Sequence, residues 1–154
     1  MTLLIREANP TDAEILAENN RATAWETEER ELDPVLARKG VEAVLDDPSR
    51  GFYLVAEEDG GIVGQCMVTF EWSDWRCGFF WWIQSVYVRK DWRQRGIFSR
   101  IYRAVEGEAR AREDVVGLRL YVDADNLTAR RAYRSAGMQE ARYVMFEVDF
   151  TLEP

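Results

Sequence analysis

The residues whose types and spacing best suit chemistry lie between Val86 and Ser99, in the run Val-Tyr-Val-Arg-Lys-Asp-Trp-Arg-Gln-Arg-Gly-Ile-Phe-Ser. That chemistry is anion binding. An apolar strand ends at Val88, and a short basic turn follows with Arg93, Arg95 and Gly96. Ile97, Phe98, Ile101, Tyr102 and Val105 then recur at helical spacing. The first N–H groups of a helix lack internal partners and sit at the positive end of its dipole, so they suit phosphate. Gly96 lets a ligand approach the backbone closely, and the two arginines can add charge-assisted hydrogen bonds. Gln94, Ile97, Phe98 and Ser99 enter through backbone N–H groups, and Ser99 also offers a hydroxyl. The stretch reads as a pyrophosphate cradle over 93–99.

The rest of the chemical inventory narrows the choice. The chain has no histidine, which excludes His-dependent catalysis and His metal ligation. Its two cysteines, Cys66 and Cys77, form no CxxC pair, so neither a zinc site nor any other metal site is expected. Cys66 falls on an apolar strand face and Cys77 in a turn, so a disulfide is not expected and a reducing cytoplasm fits. The N-terminus carries charge too early for a signal peptide, and no apolar run suffices to span a membrane. A net charge of −8 argues against a broad nucleic-acid surface. It is compatible with a cationic amine substrate, with plain solubility the readier explanation.

The elements that must position the cradle follow from periodicity and punctuation. A strand is expected over 2–8. Thr11 and Glu14 have capping-box spacing, which predicts a helix from Thr11 to near Thr23. The acidic, aperiodic segment 25–31 reads as a loop or a frayed helix end. Asp33-Pro34 starts a second helix that runs to about Leu45. Strands follow over 52–57, 62–72 and 79–88, the first two joined by an Asp59-Gly60-Gly61 turn. A helix to about Arg112, a strand over 115–122, a helix from about Asn126 to Ala136 capped by Gly137, and a last strand over 142–152 complete the order. With 154 residues and no linker or repeat, one α/β domain is expected.

Two motifs in this order resemble those of the GNAT superfamily of acetyl-CoA-dependent N-acyltransferases. Arg93-Gln-Arg-Gly96-Ile-Phe98 is similar to the family's Gln/Arg-x-x-Gly-x-Gly/Ala signature, with Phe98 in place of a small residue. Asn126-x-x-Ala129-x-x-x-Tyr133-x-x-x-Gly137-Met138 resembles its Asn-x-x-Ala-x-x-x-Tyr-x-x-x-Gly-Phe helix. The resemblance spans essentially the whole chain. It implies a single acyl-CoA N-acyltransferase domain over 1–154. Its fold would be α/β (α+β): a mixed, mainly antiparallel twisted sheet of six to seven strands flanked by four helices. It also implies acetyl-CoA as cosubstrate, held by the cradle, by Asn126 and by the backbone of Val86, Tyr87 and Val88. Tyr133 would be the general acid that protonates the departing thiolate. The implied reaction is acetyl transfer to a primary amine, by direct transfer in a ternary complex. A homodimer is the family's frequent habit.

Each residue also has a plainer reading. Gly96 fits an ordinary helix start, Asn126 a helix N-cap, and Tyr133 a packing position. On the acceptor side, a hairpin of 62–72 with 79–88 places Met67, Thr69 and Glu71 on one face with Gln84, Trp82 and Phe80. The resemblance implies a carboxylate where Gln84 stands, and Gln84 cannot act as a base. Glu71, or Glu26, Glu28 or Glu29 of the helix-connecting loop, could serve through water, or each could be a solvated surface charge. Trp72, Trp75 and Trp82 are candidates for an aromatic wall around an amine. The substrate-binding candidates are thus Glu26, Glu71, Trp82 and Gln84, facing a small-molecule amine. A protein or peptide amine is the alternative acceptor, and a non-catalytic acyl-CoA sensor the alternative role.

Overall fold

The computed structural model describes residues 2–152. The chain forms two compact units, one running to Tyr121 and the other starting at Val122. In the first unit, β1 (Leu3–Glu7), β2 (Phe52–Glu58), β3 (Gly61–Ser73), β4 (Gly78–Val88) and β5 (Val115–Arg119) form one sheet in that order. Neighbours are antiparallel up to β4, and β5 runs parallel to β4. A parallel neighbour needs a crossover, supplied here by α3 (Ile97–Arg110).

The helices form where apolar residues recur at helical spacing. Ala13, Leu16 and Ala17 of α1 (Ala13–Glu28) and Val41 of α2 (Pro34–Asp46) bury with Tyr53, Val55 and Ile62 of the sheet. α3 buries Ile97, Ile101, Tyr102, Val105 and Ala109. Full burial of such an aliphatic side chain contributes about 1.5–3 kcal/mol, so α3 is fixed by one stripe. Asp33 caps α2 as expected, its Oδ1 accepting from the N–H groups of Val35 (2.8 Å) and Leu36 (3.2 Å).

Two expectations about α1 are corrected. The capping box lies at Asn9 and Asp12, not Thr11 and Glu14: Asn9 Oδ1 accepts from Thr11 N–H at 3.0 Å, and Asp12 Oδ2 from Asn9 N–H at 2.9 Å. Pro10, lacking an N–H and with its φ preset, starts the turn earlier. The helix also continues past Thr23 to Glu28, where Glu29 (φ 51°) ends it. Of the two readings of segment 25–31, the helix end holds for Glu26 and Glu28, and the loop begins at Glu29.

The second unit contains α4 (Leu127–Ser135). Asn126 Oδ1 accepts from Ala129 N–H at 3.1 Å at its start. At its end Gly137 N–H donates to the Arg134 carbonyl (3.0 Å) and Met138 N–H to the Tyr133 carbonyl (3.1 Å), a Schellman arrangement. The strand expected over 142–152 does not form: the segment has no ladder, and Phe146 is 94% exposed. Alternating apolar residues suit a strand, but a strand exists only where a neighbour supplies the hydrogen bonds. The sheet therefore has five strands among the described residues, against the six to seven expected. No helix among them is long and apolar enough to cross a membrane.

Candidate functional site

The site starts with an irregularity in β4. The β3–β4 register passes from Gln65↔Tyr87 to Met67↔Gln84, so Cys66 alone faces both Ser85 and Val86. This is a β-bulge. Ser85 has φ 50°, a left-handed value uncommon outside glycine. The last β4–β5 pair is Trp82↔Arg119. Beyond it the end of β4, including Val86, Tyr87 and Val88, has β3 as its only neighbouring strand among the described residues. An open strand edge can hydrogen-bond an extended ligand.

The chain then enters the basic turn. Gln94 (φ 63°) and Gly96 (φ 76°) are both left-handed, the kind of backbone that forms anion-binding concavities. A Cβ placed on Gly96 would meet nothing within 4 Å outside its chain neighbours. Gly96 caps α3 with no side-chain hydrogen bond. Phe98 lies against Tyr102, one turn along α3, with ring centroids 6.1 Å apart, so the bulky residue leaves the glycine open. Ile97 is buried and Ser99 half-buried.

Gly64 seats this helix start and was missed by the sequence reading. A Cβ there would stand 2.8 Å from Ile97 Cγ2 and 3.2 Å from Ile101 Cδ1. The available signal was a glycine inside an otherwise apolar strand, which marks close approach of another element.

The two arginines point to different partners. Arg93 folds back: Nε donates to the Val88 carbonyl (2.8 Å), Nη2 pairs with Glu26 Oε2 (2.7 Å), and its guanidinium lies 5.5 Å from the Tyr87 ring centroid. Lys90 Nζ is 3.7 Å from the other Glu26 oxygen. Trp25, Glu26, Glu29, Lys90 and Arg93 line an open cleft of about 440 Å³. Arg95 stacks on Trp92 at 4.9 Å. The structure therefore groups Glu26 with the basic turn and not with Glu71, Trp82 and Gln84.

Those three residues share one face of the β3–β4 hairpin, in the expected register. Glu71 Oε1 accepts from Trp82 Nε1 and from Arg119 Nη1, both at 3.0 Å. The Arg119 guanidinium lies 3.6 Å from the Phe80 ring centroid, and Tyr121 is 6.2 Å from Trp82. Gln84 Nε2 donates to Thr69 Oγ1 at 2.6 Å. The three tryptophans do not form a wall. Trp72 pairs with Phe79 and Trp82 with Thr69, so the two-residue strand period puts them on opposite faces. Trp75 sits in the connecting turn, 89% exposed.

The remaining candidates divide cleanly. Cys66 is fully buried, and burial pushes its thiol up to about 12, which removes it as a nucleophile at neutral pH. Cys77 is exposed. In the second unit, Asn126 spends its side-chain oxygen on the α4 cap, while its NH₂ group has two further donors by chemistry. Tyr133 is half-buried on α4, and burial raises its phenol above the ordinary value, which keeps the proton on.

Comparison with known proteins supplies an independent line. The profile of the "Acetyltransferase (GNAT) family" matches residues 13–138. A mycothiol acetyltransferase of Corynebacterium aurimucosum is 30% identical over 138 residues, 84% of this chain and 43% of that protein. The chain thus spans under half the length of this curated relative. A solved structure described as a possible acetyltransferase from Clostridium difficile 630 is 42% identical, with TM-score 0.90 over 97% of this chain and 98% of its own. An aminoglycoside N-acetyltransferase solved with CoA shares the fold, at 16% identity and TM-score 0.78 over 97% of this chain and 95% of its own.

Proposed function

The chain belongs to the GNAT acetyltransferase family, and from that premise we propose that it transfers acetyl from acetyl-CoA to the primary amine of a small molecule, directly, in a ternary complex. One observation carries the reading: a bulged, open β4 edge leads into a left-handed turn whose Gly96 is unobstructed. These features fit an acyl-CoA, because a peptide-like arm needs a free strand edge and a pyrophosphate needs exposed N–H groups.

Acetyl-CoA supplies an activated acyl thioester. The backbone of 94–99 and Arg95 hold the pyrophosphate, and Val86, Tyr87 and Val88 offer main-chain partners to the arm. Asn126 adds a donor through its NH₂ group. The Val86 N–H is assigned to the acyl carbonyl oxygen, where it stabilises charge as the amine adds. Tyr133, its proton retained by burial, donates that proton to the sulfur as the C–S bond breaks, and the proton shed by the amine nitrogen as the C–N bond forms restores it. Holding the neutral amine against the acyl group supplies much of the remaining rate. Glu71 is paired with Arg119, so it serves the acceptor as an orienting carboxylate beside Trp82. The whole chain acts as one catalytic domain.

Support for a small amine comes from this strip, which joins a carboxylate to an indole and a phenol. Thiol release from acetyl-CoA against small amines, polyamines, amino acids and short peptides tests it. Turnover with a small amine is expected, and Tyr133→Phe should lower kcat about 100-fold with acetyl-CoA affinity unchanged. Turnover confined to peptides would assign the protein acceptor instead, and tight binding without turnover the sensor role.

A further inference from the structure

Beneath the bulge lies a buried amide network. Gln65 of β3 is 0% exposed. Its Oε1 accepts from Asn19 Nδ2 at 2.9 Å, and its Nε2 donates to Asn20 Oδ1 at 2.9 Å and to the Ser85 carbonyl at 3.4 Å. Asn20 Nδ2 donates to the Tyr53 hydroxyl at 3.3 Å, so Tyr53 supports Gln65 through Asn20. One glutamine thus ties two consecutive asparagines of α1 to the bulge, with its acceptor and both donors in use.

Burying so many polar groups is costly unless each is satisfied, and a satisfied network fixes geometry. Here the geometry concerned is Ser85. A left-handed serine persists only where its surroundings over-determine it. Gln65 of β3 holds its carbonyl, and Tyr53 of β2 backs Gln65 through Asn20. The Ser85 carbonyl and the Val86 N–H belong to one planar trans peptide unit. Drawing the carbonyl toward Gln65 therefore turns the N–H the opposite way.

We propose that Gln65 is a positioning residue that, by holding the Ser85 carbonyl, aims the Val86 N–H at the acyl oxygen of bound acetyl-CoA. This rests on the reading above that the Val86 N–H serves that oxygen. Gln65 touches neither cosubstrate nor acceptor in this account. It acts through the peptide unit it orients, and the asparagines act through Gln65.

The test uses the full chain and needs no acceptor. The infrared carbonyl band of acetyl-CoA carrying ¹³C at the acyl carbon is recorded free and bound to wild type, Gln65→Met and Tyr53→Phe, with acetyl-CoA and CoA affinities measured by calorimetry. In wild type the bound band moves to lower frequency. In Gln65→Met most of that displacement disappears, and the preference for acetyl-CoA over CoA falls about tenfold, one hydrogen bond's worth, while CoA affinity holds. Tyr53→Phe loses a smaller part of the displacement and decides the matter if Gln65→Met fails to fold. Unchanged displacement in the folded variants overturns the proposal and leaves the site reading standing. Parallel loss of CoA and acetyl-CoA affinity also overturns it, because that marks a structural role alone. Absent binding or an undisplaced band in wild type sinks the site reading itself, and the proposal with it.

Discussion

At its C-terminal end β4 offers backbone, and at its N-terminal end it offers side chains. The first region is a bulge at Ser85 and Val86, a left-handed Gln94 and an open Gly96. The second is Glu71 bridging Trp82 and Arg119 over Phe80, with Gln84 bonded to Thr69. Backbone geometry survives side-chain change, as Phe98 shows by lying on Tyr102 and leaving Gly96 clear. A side-chain constellation is rewritten by any substitution within it. On the proposed reading, the cosubstrate end is bound to the fold, whereas the acceptor end can vary on the same frame.

The contrast can be broken first at the backbone. Gly96→Val forces a β-branched residue into φ 76°, which costs about 1–2 kcal/mol before any clash with ligand. Acetyl-CoA affinity measured by calorimetry should fall tenfold or more, and retained affinity would break the cradle. At the side-chain end, Glu71→Gln removes a partly exposed ion pair with Arg119, an interaction of about 1 kcal/mol or less. The acceptor KM should change about threefold to fivefold in steady-state assays while acetyl-CoA affinity stays put. A fall in cosubstrate affinity would erase the distinction between the regions. Smaller still, Glu26→Gln removes the carboxylate that engages Arg93 and Lys90. Acetyl-CoA should bind about twofold more tightly, because less negative charge stands near its phosphates. Weaker binding would mean that Glu26 serves by holding Arg93 in place.

Acid provides a control distant from both regions. The Arg6 guanidinium beside Asp12 holds its carboxyl below the ordinary carboxylate value. A depressed folded-state value adds stability above the unfolded value, near pH 3.9, and that stability is lost as pH falls through the folded one. Wild type should therefore lose thermal stability below about pH 4 more steeply than Asp12→Asn. Parallel melting curves for the two would remove Asp12 from the acid response.

Much of the frame was legible because it is decided locally. Asp33-Pro34 carries its own cap, Asp59-Gly60 its own turn, and Gly137 its own helix end. The hairpin register that places Glu71, Trp82 and Gln84 together follows from a period of two. The bulge was not legible, because a left-handed serine has no local signature and its carbonyl is met by Gln65 from another strand. Gly64 drew no notice, because the reason for a glycine there is α3, which packs on it from elsewhere in the chain. For Glu26 the choice between loop and helix end stayed open because the acidic residues mask helical periodicity, and its tie to Arg93 spans 67 positions. The alternation over 142–152 predicted a strand, but nothing in that segment says whether a ladder partner is present.

The central claim is that the bulged edge of β4 and the turn before α3 form the acetyl-CoA site. Backbone amide resonances followed by ¹⁵N NMR during acetyl-CoA titration test it most directly. Saturable shifts concentrated at Val86, Val88 and 94–99, with Glu71 and Arg119 little moved, are expected. Saturable shifts centred elsewhere, with 94–99 silent, would contradict it.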